Sequence, residues 1–179
     1  PKHGFTPAVT PAASTQPPIP GLHAVEVTTG REAVLGYDDP KSPFKLRVEI
    51  NRYGAAVNTI TLGDYLKTVG KPDHYIVHEK LALPDPADPK NLSKYQTFWL
   101  AYAAKAVTVN GTRIPLETND AWSAGELISN DQSASITYTA TIADGNDQPV
   151  LKIERTYGVT VDSYELSLDQ KLTNLADQP

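Results

Sequence analysis

The chain has 179 residues, 40% of them hydrophobic, with sixteen Lys and Arg against twenty-one Asp and Glu. A net charge of −5 argues against a nucleic-acid binder, which needs a basic face. No apolar run approaches the roughly 18 residues that cross a bilayer as a helix. The absence of cysteine removes disulfides, thiolate catalysis and cysteine metal sites together, and leaves the compartment open.

The chain opens on Pro1 and contains no methionine, so it reads as an excised piece of something longer. Residues 1–24, "PKHGFTPAVTPAASTQPPIPGLHA", carry six prolines among small residues. Proline lacks a backbone donor and pushes its predecessor toward extended conformations. So little apolar mass cannot offset the entropy of ordering, and the segment is expected to be a disordered, semi-stiff tether. The domain is expected over 25–179, continuing beyond Pro179.

From Val25 onward the hydrophobic signal has period two. Strands are expected at Val25–Thr28, Lys45–Asn51, Val57–Leu62, Val107–Val109, Ile114–Leu116, Ser135–Ile142, Val150–Tyr157 and Tyr164–Leu172, bounded by Gly, Asn, Asp or Pro. In "KLRVEINRYGAAVNTITL", residues 45–62, Leu46, Val48 and Ile50 alternate with polar neighbours. The chain then turns at Tyr53-Gly54, where small Ala55 and Ala56 let two backbones approach closely. "EKLALPDPADPKNL", residues 79–92, is too proline-rich for an element and reads as a surface loop. Residues 92–107 fit a helix or a strand about equally. Asn110-Gly111 marks a two-residue type I′ hairpin, and a second hairpin turns through Asp144-Gly145-Asn146-Asp147. The expected fold class is all-β, with little helix and two packed antiparallel sheets.

Groups able to do chemistry are sparse. His3 and His23 lie on the tether. His74 and His78, in "KPDHYIVHEK", have the spacing of a helical metal pair. They flank a strand-like "YIV", however, and read as ordinary rim histidines. Asp38, Asp39, Asp64, Asp73, Asp85, Asp88, Asp120, Asp144 and Asp147 each lie beside, or one residue away from, Pro, Gly or Asn, as turns require. "DGNDQ" lacks the closing glutamate and the glycine offset of a calcium loop. There is no G-x-S-x-G elbow and no phosphate-binding glycine loop. Trp99, Trp122 and nine tyrosines can line a sugar cleft, though packing between sheets is the plainer reading. No catalytic, cofactor-binding or metal-ligating residue is therefore expected.

"RYGAAVNTITLGDY" resembles the opening strand pair of the galactose mutarotase-like β-supersandwich. "LKIERTYGVTVDSYELSLDQKLTNLADQP", residues 151–179, resembles its later strand-turn-strand pattern. Within that fold, "AVLGYDDPKSPFKLRVEINRYGAAV", residues 33–57, is similar to the periplasmic domain of bacterial YidC-type membrane protein insertases. The loop "HEKLALPDPADPKNLSKYQ", residues 78–96, has no counterpart there. The resemblance implies an inner-membrane protein whose non-catalytic periplasmic domain supports insertion and folding. Its partners would be Sec translocon accessory subunits or nascent membrane proteins. The insertion activity itself would lie outside residues 1–179. The alternative on the same scaffold is a carbohydrate-binding or aldose-epimerase-like domain. Such enzymes need a histidine acid, and no histidine follows His78.

Overall fold

The computed structural model describes the backbone of residues 19–28, 31–37, 41–84 and 95–176, with side chains for all of these except 82–98. Two short strands come first, β1 (His23–Ala24) and β2 (Ala33–Gly36). β3 (Leu46–Asn51) and β4 (Ala56–Leu66) flank a tight turn at Tyr53–Ala55, and β5 (His74–Glu79) follows. β6 (Leu81–Pro84) pairs with β7 (Tyr95–Trp99), and β8 (Ala106–Val109) with β9 (Thr112–Pro115). β10 (Ser123–Ala124) and β11 (Ile128–Ser129) lead into a meander of β12 (Ser133–Ala143), β13 (Pro149–Thr160) and β14 (Leu166–Asn174).

Two antiparallel sheets enclose one core. The larger runs β1-β12-β13-β14, with β10 and β11 also on β12; the other runs β2-β3-β4-β5. Alternation decides which side chains go inside. β3 buries Leu46, Val48 and Ile50, while β12 buries Ala134, Ile136, Tyr138, Ala140 and Ile142. Trp122 fills the space beside them with no exposed surface, and its indole N–H donates to the Leu116 carbonyl at 2.9 Å.

The expected all-β, antiparallel architecture is what the chain adopts. Asn110 and Gly111 take φ of 46° and 81°, as a type I′ turn demands, and Val109 pairs directly with Thr112. Five local readings need correction. The strand expected over Val25–Thr28 lies earlier, at His23–Ala24; Val25 still donates to Thr141, but Val27 turns away to the Asp120 carbonyl. Pro20 accepts from the Gly145 N–H, so the ordered chain begins ahead of the Val25 boundary. The remaining tether, 1–18, lies outside the described residues. The loop expected over 79–92 contains β6, and residues 85–92 lie outside the described residues. The helical option for 92–107 gives way to β7 and β8, because Tyr95–Trp99 finds its partner in Leu81–Pro84. Finally, β2 has no counterpart among the expected strands; its burial breaks alternation at Leu35 and Gly36, which are both buried.

The two sheets are pinned at the turn between β3 and β4. Gly54 and Ala55 both take positive φ, 66° and 43°, which turns their carbonyls away from any ladder partner. β13 supplies donors in place of a ladder. Arg155, 4% exposed, donates through Nη1 to both carbonyls at 3.1 Å, and the Tyr157 hydroxyl donates to Ala55 at 2.6 Å. The guanidinium also lies over the Tyr157 ring. Burial lowers the pKa of Arg155 and pushes the Tyr157 phenol up to about 12.

At the opposite corner, Lys45 pairs with Asp64 at 2.8 Å, and the Tyr164 hydroxyl donates to the same carboxylate at 2.9 Å. The Lys45 hydrogen bond, then that of Tyr164, holds Asp64 below its ordinary 3.8; the same contact raises Lys45 above 10.5. A carboxylate with a depressed folded pKa stabilises the fold above its unfolded value and loses that contribution as pH falls through the folded one. A raised lysine does the reverse, losing its contribution as pH rises through its folded value. Asp64→Asn is therefore expected to lower the denaturant midpoint by a constant amount between about pH 5 and 10. The difference should shrink on either side of that window. A difference that is flat down to pH 2 would mean that the pair is not coupled to folding.

Candidate protein-contact surface

The strand running from His74 to Pro84 changes partner at Lys80. Its first half pairs with β4 and its second half with β7, while Ala101 bridges back to Val57 at the start of β4. A cleft of about 530 Å³ lies at this junction. His78, Glu79, Leu81, Trp99, Lys105 and Glu117 line it. Leu81 and Trp99 are register partners, 54% and 62% exposed, and form an apolar wall against a rim of mixed charge. Tyr75, Ile76 and Val77 on β5 are also exposed. A strand normally hides one face; β5 shows apolar groups on both.

The residues singled out in the sequence are dispersed. His74 Nδ1 lies 3.1 Å from the Leu62 carbonyl, whereas His78 sits at the cleft with Nε2 enclosed and unpartnered. No group of three His, Asp or Glu able to hold a metal occurs among the described residues. His23 contacts the Gly21 carbonyl at 3.0 Å and Asp147 at 3.3 Å, fastening the first strand to the 144–147 turn. Asp144 accepts from the N–H groups of Asn146 and Gln148, at 2.8 and 3.0 Å. Those two bonds, Gln148 first, lower its pKa. A carboxylate closing its own turn is a turn residue, as its sequence context indicated. The tryptophans divide: Trp122 is core, and Trp99 stands at the cleft.

A second depression of about 540 Å³ borders β2 and includes Arg31, Arg47 and Tyr37. Arg31 donates to the Gly125 carbonyl at 2.9 Å and Arg47 pairs closely with Glu49, so both cations serve the chain itself. The cleft at Trp99 is the better candidate for a partner. The sequence singled out Trp99 and His78 separately but not their meeting, because the pairing of Leu81 with Trp99 spans a stretch whose prolines suggest a loop.

Compared with protein families, with curated proteins and with solved structures, the chain matches none. What stands established is the class: an all-β protein of antiparallel sheets, with a cleft walled by Leu81 and Trp99.

Proposed function

We propose that this chain is a non-catalytic periplasmic domain of a bacterial YidC-type membrane protein insertase, with the galactose mutarotase-like β-supersandwich as its scaffold. It supports membrane protein insertion and folding by holding protein partners. One observation carries the reading. The two segments on which the resemblance rests, around Tyr53-Gly54-Ala55 and around Arg155-Thr156-Tyr157, meet in space through buried hydrogen bonds. A pattern shared by two distant stretches is better evidence for a scaffold when one stretch supplies donors for the other's carbonyls. Scaffold does not fix activity, and the contact surface supplies that part of the argument.

The cleft suits a polypeptide. An extended segment can lie along the cleft with an apolar side chain resting against Trp99 and Leu81. The partners that fit are Sec translocon accessory subunits or nascent membrane proteins. The test titrates the purified chain with the periplasmic portions of Sec accessory subunits and with extended apolar peptides. Trp99→Ala and Val77→Asp are expected to weaken binding roughly tenfold or more, as central contacts do. Both side chains are more than half exposed, so thermal unfolding should change little. Binding that is indifferent to both variants would reject the surface.

A second reading rests on Trp99 standing beside Glu79 and Glu117, an aromatic wall with carboxylates that suits a sugar. The same titration with common aldoses, and an assay of anomer conversion, decides between the two. Micromolar sugar binding or turnover would reverse the order. The coding sequence around residues 1–179 offers an independent check: a hydrophobic helix before Pro1 and several after the domain support the insertase reading.

A further inference from the structure

β14 is the outermost strand of the larger sheet, and among the described residues nothing pairs with its far side. Its ladder with β13 runs without a register shift from Leu151↔Asn174 to Val159↔Leu166. β5, at the edge of the other sheet, is broken by two shifts. Bulges and bends protect an edge from pairing, and β14 has none of them.

The direction of its backbone groups is set by two hydrogen bonds. Leu175 donates to the Val150 carbonyl at 3.0 Å, and on the other side of β13 Val161 donates to Gln132 at 3.0 Å. Alternation along an antiparallel ladder then turns Ser167, Asp169, Lys171 and Thr173 inward to β13 for hydrogen bonding. Leu168, Gln170 and Leu172 present their N–H and C=O groups outward.

We propose that this edge pairs with the β14 of a second copy, antiparallel about a two-fold axis through Gln170. In that register Gln170 meets Gln170, and Leu168 meets Leu172 of the second copy. Asp169 then lies directly opposite Lys171 of the second copy, twice over. These last are non-hydrogen-bonded pairs, the kind whose side chains come closest. Leu172, 54% exposed in the single chain, gains an apolar neighbour.

Charge selects the register. Sliding the copies so that the axis passes through Asp169 places two carboxylates face to face; moving it to Lys171 opposes two ammoniums. Moving the axis by half a residue sets outward-pointing groups against inward-pointing ones, and no ladder forms. Only the Gln170 axis both hydrogen-bonds and neutralises. The contact is isologous, so it closes at two copies and does not propagate. This inference uses neither the cleft nor its partners.

Sedimentation of the 179-residue chain over a wide concentration range provides the test. The expected result is a reversible dimer. Asp169→Lys and Lys171→Asp should each weaken it at least about tenfold, since each turns two attractive cross-strand pairs into repulsive ones. Mixing the two variants one to one should restore association as a heterodimer, because every opposed pair is again complementary. Unchanged circular dichroism shows that both variants keep the fold. A chain that stays monomeric throughout, reversals that leave the dimer intact, or a mixture that fails to associate would each overturn the proposal.

Discussion

Gly36→Ala is expected to abolish cooperative folding or to remove at least about 3 kcal/mol of stability. Gly36 closes β2 with φ of +68°, a region that costs an L-residue roughly 1–2 kcal/mol. The larger cost is steric. A Cβ there would stand 2.0 Å from the Leu46 carbonyl oxygen and 3.2 Å from its carbon. Backbone cannot yield as a flexible side chain does, so β2 must shift away from β3. The shift would uncover Leu35, which is wholly buried. Gly111→Ala is the control: φ is +81°, yet nothing lies within 4 Å of the added carbon. That variant should lose only the conformational part, about 1–2 kcal/mol. Denaturant unfolding of both proteins separates the two causes. Equal losses would mean that the close approach at Gly36 is relieved without cost.

Trp122→Ala should be of comparable severity. The side chain is fully buried, and large-to-small changes at aromatic core positions cost about 3–5 kcal/mol. The Leu116 carbonyl loses its indole donor as well, and an orphaned buried acceptor costs about 1–3 kcal/mol. Against a typical total of roughly 5–15 kcal/mol, the combined loss is a large fraction of the stability. Trp122→Phe keeps most of the volume and loses the donor, so it isolates the second contribution. Fluorescence gives a convenient readout. In Trp99→Phe the remaining emission belongs to an indole shielded from water, and aqueous quenchers should scarcely touch it until the chain unfolds. Ready quenching of that variant in its folded state would contradict the core placement of Trp122.

These losses also bear on the contact surface. The turn at Gly54-Ala55 and the junction at Val57-Ala101 lie next to each other on the start of β4, with Ala104 donating to the Gly54 carbonyl at 2.9 Å. Packing that holds β13 against β4 therefore also holds the segment leading from Trp99 and Ala101 to Lys105. Core variants are expected to impair partner binding through this route, whereas Trp99→Ala impairs it with the fold intact.

Much of the architecture was legible in the chain because its causes are local. Alternation along Leu46–Asn51 and Ser133–Ala143 is a property of the strand itself, since every second side chain faces the same side. The turns at Asn110-Gly111 and Asp144–Asp147 follow from residues that accept positive φ or satisfy their own backbone. These signals determined an all-β fold with its hairpins in place. Tertiary structure decided what depends on a distant partner. Residues 95–99 had equal claims to helix and strand until Leu81–Pro84 came to lie beside them. Proline content concealed that partner, although Pro84 sits at the strand's end, where a missing N–H matters least. The two tryptophans look alike in sequence, and only packing sends one to the core and the other to the cleft. Arg155 falls on the inward face of β13, in step with Ile153 and Tyr157. Nothing nearby in sequence accounts for a buried cation. Its reason is a pair of carbonyls a hundred residues away, turned inward by a left-handed turn, of which Gly54 also accepts from the Ala104 N–H.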